Sequence, residues 1–232
     1  MNLTADDWQI IFLSLKVGIT AVLMCMPVAF GLAWILARVT FPGKALLDAV
    51  VHLPLVLPPV VTGWLLLVVF GSNGPVGAWL ESWFGVSLMF RWTGAALAAA
   101  IMALPLMVRA IRLSLENVDT RLENAARTLG ATRWQTFTTI TAPLALPGVI
   151  VALVLGFARA LGEFGATITF VSNIPGETRT LPIAIYTALQ VPGSESAVTR
   201  LALVSVGLSL LALVASELIA RRMYGGTSRH VI

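Results

Sequence analysis

Long apolar runs, interrupted by one extended polar stretch, set the pattern of this chain. Residues 10–37 form the first run, long enough at about 1.5 Å per helical residue to cross a bilayer with tilt. Lys16 lies near its start, where the aliphatic stem lets the ammonium reach the interface, and Trp8 and Trp34 bracket the run as interfacial aromatics. A Pro42-Gly43 turn leads into residues 45–71, which carry Asp48 and His52 and then Pro54, Pro58 and Pro59. Prolines so closely spaced must break or kink a helix. Within a membrane, broken backbone is tolerated only where protein surrounds it or it lines a cavity, so Pro58 and Pro59 mark a candidate pathway wall.

Residues 71–92 predict a loop with an amphipathic helix through Val76, Trp79, Leu80, Trp83 and Phe84, lying in the interface plane or packed as a loop helix. Residues 93–113 are alanine-rich, as expected where membrane helices pack closely, and close on Arg109 and Arg112. Residues 146–171 form a fourth segment, with Arg159, Glu163 and Thr167 at one-turn intervals along one face. Residues 181–191 are apolar but too few to span, which predicts a re-entrant or surface helix. Residues 201–220 form the last span, and residues 223–232 a mobile tail.

The polar stretch, residues 116–147, predicts two short helices. Thr120 with Glu123 fits a capping box, and Leu122, Ala125, Ala126 and Leu129 then form a small-residue apolar stripe. Gly130 is placed to end that helix in a left-handed conformation. Thr132 with Gln135 repeats the capping pattern before Trp134, Phe137 and Ile140, and Pro143 and Pro147 are expected to stop the second helix. Two angled helices with a small-residue face suit a docking surface.

Composition fixes the class. Hydrophobic residues make up 58% and charged residues 11%, against about 25% charged in a soluble domain. This is an all-α integral membrane protein. With the polar stretch in the cytoplasm and five spans, Arg38, Lys44, Arg109, Arg112, Arg121, Arg127, Arg133, Arg221, Arg222 and Arg229 fall inside. Only Arg91, Arg179 and Arg200 fall outside. That asymmetry obeys the positive-inside rule, puts the N-terminus outside, and makes the net charge of +4 a matter of topology rather than of nucleic-acid binding. Counting residues 181–191 as a sixth span would put Arg221, Arg222 and Arg229 outside and weaken that asymmetry, which favours five spans. The acidic start, with Asp6 and Asp7, does not fit a cleaved signal peptide.

Candidate chemistry is sparse. Cys25 lies in an apolar run without metal-ligand neighbours, His52 and His230 are far apart, and no metal site is expected. Gly43-Lys44 is followed by Ala45 and has no upstream glycine, so it is no phosphate-binding loop. No nucleophile–base pattern appears either. The chain reads as a non-enzyme with no cofactor of its own.

The polar stretch resembles the EAA loop of the membrane subunits of binding-protein-dependent ABC importers. That pattern is Glu-Ala-Ala, three residues, Gly, nine residues, Ile, any residue, Leu-Pro. Here Asn124-Ala125-Ala126, Gly130, Ile140 and Pro143 stand in register, with the glutamate one position early at Glu123 and Ala142 in place of the leucine. The competing reading is an ordinary cytoplasmic helix–turn–helix connection. Residues 159–187 and 41–67 resemble the oxyanion permeases, the molybdate, tungstate and sulfate group, and Gly176-Glu177-Thr178-Arg179-Thr180 resembles the molybdate type. The resemblance implies an importer transmembrane domain over residues 8–222, in a bacterial inner membrane. It also implies a homodimer, two ATPase subunits that carry the ATP and Mg, and a periplasmic molybdate-binding protein. Glu123, Ala125, Ala126, Gly130, Ile140 and Pro143 would couple to the ATPase. Sulfate or tungstate remains open as the substrate. A secondary transporter driven through Asp48 and Glu163 would need inverted repeats that the sequence lacks. Arg159 and Glu163 form either a neutralising pair or, through Arg159 with Thr167, an anion contact in the pathway.

Overall fold

The computed structural model describes residues 3–225, and these form eleven α-helices and one π-helical turn. Helix α1 (Ala5–Arg38) begins ahead of the apolar run because Thr4 and Asp7 form a capping box. The Thr4 hydroxyl accepts from the Asp7 N–H, and the Asp7 carboxylate accepts from the Thr4 N–H. Helix α5 (Trp92–Glu116) is the central element, packed between α1 and α8 (Ala142–Leu161). Its Ala95, Ala96, Ala98, Ala99 and Ala103 are fully buried. Small side chains let backbones approach closely, which matters where lipid is as apolar as the core and burial alone does not drive helices together.

The outer faces are apolar. Phe12, Ile19, Leu23 and Val28 on α1 are exposed, as are Leu203, Val206, Leu210 and Leu211 on α11 (Glu195–Gly225). Continuous apolar faces of this kind belong in hydrocarbon. Among the described residues, four helical stretches are long and apolar enough to cross a membrane, or up to five if one bent pair counts as a span.

That bent pair is α2 (Lys44–Val56) and α3 (Pro59–Phe70), which meet at 114°. Pro54 is carried inside α2, and the break falls at Leu57-Pro58. The residue before a proline is pushed to extended backbone, as Leu57 is with ψ 141°. Pro59 then opens α3 at the first helical position, where its missing N–H would have no intrahelical acceptor anyway. The expected loop helix is α4 (Pro75–Phe84), with Trp79, Trp83 and Phe84 exposed.

The second half of the chain corrects two expectations. Pro143 and Pro147 do not stop the second loop helix. Short α6 (Thr120–Thr128) and α7 (Arg133–Thr136) are followed by a π-helical turn, Phe137–Thr141, that runs directly into α8. The Ala142 N–H reaches back to the Phe137 carbonyl, so Pro143 enters the first turn of α8, where no intrahelical donor is lost. Nor is the fourth segment one helix. It ends at Leu161 and resumes as α9 (Gly165–Val171), so Arg159 and Thr167 do not share a helix face. The short apolar run is α10 (Leu181–Leu189). The last helix extends to Gly225, into the expected tail, and residues 226–232 lie outside the described part.

Polar clamps join distant elements at the N-terminal end of α1. Arg200 Nε lies 3.1 Å from the Asp7 carboxylate, and the Leu181 N–H donates to Ser14 Oγ at 2.7 Å. These tie α1 to α11 and α10.

Candidate coupling loop and broken-helix route

At the other end of α1 sits the polar loop. Helix α6 is capped by Asp119, whose carboxylate accepts from the Arg121 N–H at 2.8 Å, rather than by Thr120. The expected Thr120–Glu123 box does not form, because Glu123 is engaged elsewhere. Its two oxygens receive Arg38 Nη1 and Nη2 at 3.2 and 2.9 Å, and Thr141 Oγ1 donates to it at 2.6 Å. One buried carboxylate thus joins α1, α6 and the π-helical turn. Bidentate guanidinium–carboxylate geometry fixes direction as well as distance. Trp34 on α1 packs edge-on against Phe137 at 5.3 Å, and Trp134 stacks on the same ring at 5.6 Å.

Gly130 stands at φ +92°, the left-handed region that favours glycine. Its N–H bonds the Arg127 carbonyl and the Ala131 N–H bonds the Ala126 carbonyl, both at 3.0 Å. This pair of bonds closes α6 in a Schellman arrangement. The Thr132–Gln135 capping box forms as expected and starts α7. The apolar stripe faces outward: Leu129 is 89% exposed, Leu122 and Trp134 also stand out, Ala125 is exposed and Ala126 half-buried. Ile140 is half-buried in the π-helical turn and Pro143 exposed beside it. The stripe is therefore not packing for this chain's own core.

Loss of the Glu123 carboxylate has a predictable cost. Glu123→Ala leaves the Arg38 guanidinium beside Trp34 with no counter-charge, and breaking a largely buried pair on one side costs about 3–5 kcal/mol. The variant is expected to unfold at lower temperature and to be cut faster by trypsin at Arg121 and Arg127, whereas Glu123→Gln keeps the Thr141 bond and falls between. Equal cleavage of all three chains would show that the pair does not hold the loop.

The five pathway candidates gather around two helix breaks that face each other. A Cβ added at Gly165 would lie 2.7 Å from Pro59 Cβ, and one at Gly63 would lie 2.6 Å from the Ala166 carbonyl. Glycine at both positions lets the starts of α3 and α9 touch. Glu163 bridges the second break: Oε1 accepts from the Ala166 N–H at 2.8 Å, and Oε2 lies 2.6 Å from Arg159 Nη1. The side chain of Glu163 is almost fully buried while that of Arg159 is a quarter exposed. Thr167 is buried on α9, and Pro58 and Pro59 are exposed. The ion pair expected as one of two alternatives is present, and the shared Arg159–Thr167 face is not.

Asp48 and His52, one turn apart on α2, form a local pair with Nδ1 to Oδ1 3.3 Å, and they belong to a larger cluster. Arg112 bonds Asp48 at 3.1 Å and Glu116 at 2.8 Å, fastening α2 to α5. Sequence reasoning missed Arg38 and Arg112 as partners, having counted them only as charges that set topology.

The fold is that of the membrane bundle of an ABC transporter. It matches a solved chain of a bacterial ABC transporter involved in the import of the acidic polysaccharide alginate, with a TM-score of 0.70 at 21% identity, over 98% of this chain and 82% of that one. The family described as binding-protein-dependent transport system inner membrane component matches residues 6–225. The chain is 62% identical over 221 residues to the molybdenum transport system permease protein ModB of Escherichia coli (strain K12), covering 95% of this chain and 96% of that one. It is 58% identical over 211 residues to ModB of Haemophilus influenzae, covering 91% and 92%. This chain belongs to the family of binding-protein-dependent transport system inner membrane components.

Proposed function

We propose that the chain forms the transmembrane pathway of an ATP-driven molybdate importer and receives the motion of a separate ATPase through the α6–α7 loop. The observation that carries the coupling role is the loop's construction. An apolar stripe ending in Leu129 and Trp134 projects from the bundle, while Glu123 ties its base to Arg38 of α1. Force applied to the stripe is therefore delivered to a long helix packed on the centre of the fold. Glu123, Ala125, Ala126, Gly130, Ile140 and Pro143 are the residues of that coupling surface. The molybdenum permeases that the chain resembles over nearly their whole length support the choice of anion.

In this reading α2 and α3 make one bent crossing, giving five spans, and α10 is a re-entrant segment on the periplasmic side. The N-terminus is periplasmic, and the loop and the C-terminus are cytoplasmic, in agreement with the arginine and lysine asymmetry. Two copies of the chain enclose the pathway, two ATPase subunits hold ATP and Mg, and a periplasmic molybdate-binding protein delivers the anion. The apposed breaks at Pro58–Pro59 and Glu163–Gly165 line the route, since unpaired backbone at membrane depth needs such surroundings.

Uptake of labelled molybdate is the test. A strain lacking this chain is expected to lose it and to regain it on complementation, and excess sulfate is expected not to compete in the parent. Loss of sulfate uptake with molybdate uptake intact would keep the architecture and overturn the choice of anion.

A further inference from the structure

Helix α4 has a face that the bundle does not use. Its backbone presses on the end of α3: Gly77 is buried there, and a Cβ on it would collide with the Phe70 and Gly71 carbonyls. The return of the chain is pinned as well, with the Ser72 N–H donating to Met89 Sδ at 3.3 Å. Trp79, Trp83 and Phe84 are nonetheless exposed, Trp83 at 76%. The aromatic residues do not pack this helix onto the bundle, which leaves the interface-plane reading of its amphipathic pattern.

Two spans place α4 at a membrane boundary. At about 1.5 Å per residue, Lys16 and Trp34 on α1 are about 27 Å apart, and Trp92 and Arg109 on α5 about 26 Å. Both separations approach the roughly 30 Å hydrocarbon layer. Lys16 Nζ lies 3.6 Å from the centre of the Trp92 ring, so the two spans reach the boundary together. Arg91 stands exposed beside Trp92, on the stretch that joins α4 to α5. Among the described residues, neither Lys16 nor Arg91 makes an ion pair. Glu81, the acidic residue of α4, lies about 160° round the helix from Trp83.

We propose that α4 and the start of α5 form a surface for anionic phospholipid. Trp79, Trp83 and Phe84 enter the layer between headgroups and acyl chains, and Lys16 and Arg91 meet the lipid phosphates. Tryptophan is favoured at that depth, and cations without a carboxylate partner complement an anionic headgroup. The Trp92 ring fixes the Lys16 ammonium, and one ring face does not exhaust its three donors. The surface rests on the spans alone; which leaflet it meets follows from the topology proposed above.

Two measurements on the full chain in nanodiscs test this. In a Cys25→Ala background, a spin label at Trp83→Cys is expected to collide with dissolved oxygen and to be shielded from a water-soluble nickel chelate. A label at Glu81→Cys is expected to meet the chelate. Equal chelate access at both positions overturns the proposal. So does a Trp83→Cys label shielded from oxygen and chelate alike, since a second copy or another protein would then cover the face. Native mass spectrometry of chain released from mixed phosphatidylglycerol and phosphatidylcholine is expected to show phosphatidylglycerol retained preferentially. Lys16→Gln with Arg91→Gln is expected to cut that preference by about tenfold. Arg179→Gln, a cation outside the patch, is expected to leave it unchanged. No preference in the parent chain, or an unchanged one in the double variant, overturns the proposal. Neither measurement reads transport, so a chain that imports no molybdate would overturn the transport reading and leave this surface standing.

Discussion

Gly130→Glu is expected to reach the membrane in normal amount and to import nothing. The backbone there is left-handed at φ +92°, and no atom lies within 4 Å of where a Cβ would stand. Substitution therefore meets conformational strain but no clash. That strain is about 1–2 kcal/mol for a residue other than glycine, too little to unfold a bundle whose core lies elsewhere. It is enough to open the Schellman closure and re-aim α7. The added carboxylate also falls next to Leu129 and near Trp134, in the apolar stripe proposed to seat in the ATPase. Gly130→Asn separates the two effects, because asparagine tolerates the left-handed region and adds no charge. It is expected to retain most transport. The readouts are membrane content by immunoblot, co-purification of the ATPase, and molybdate uptake. Full uptake by the glutamate variant would remove the coupling role from this loop.

The parts of this loop that depend on near neighbours in sequence were legible, and the parts that depend on distant ones were not. Gly130 and the Thr132–Gln135 box are local chemistry, and both form as read. Asp119 and Thr120 are adjacent and both able to cap; the choice between them follows from Arg38, eighty-five positions from Glu123, drawing the Glu123 side chain away. No periodicity encodes such a pairing. The same holds for Arg200 with Asp7 and for Leu181 with Ser14, each joining opposite ends of the chain. Prolines predicted the α2–α3 break correctly, though only Pro58 and Pro59 act there and Pro54 does not. Around Pro143 the same rule failed, because a π-helical turn shifts the hydrogen-bond register just ahead of the ring. The α8–α9 break carried a signal in Gly162 and Gly165 flanking Glu163. Glycine is frequent inside membrane helices, so apolar continuity outweighed it.

Glu163→Ala is expected to be the most damaging single change in the membrane-embedded part of the chain. It removes the partner of Arg159 and the acceptor of the Ala166 N–H together. Breaking one side of a buried pair costs about 3–5 kcal/mol, and an unmet buried donor adds about 1–3 kcal/mol. The variant should be recovered in low amount and melt early in detergent. Its effect on transport alone is therefore uninformative, and a compensated variant decides what the pair is for. Glu163→Gln with Arg159→Met keeps an acceptor for Ala166 and leaves no net charge behind. Replacing both members of a buried pair is often neutral for stability even where removing one is ruinous. The double variant is therefore expected to regain the melting temperature of the parent. If Arg159 serves only to neutralise Glu163, uptake recovers with stability. If Arg159 also meets the anion where the two broken helices touch, the folded double variant stays slow, and an added Arg159→Lys comparison in the Glu163 background restores part of the rate. Arg159 is a quarter exposed while its partner is almost fully buried, so the guanidinium retains donors free of Glu163, and the second outcome is the one the geometry predicts.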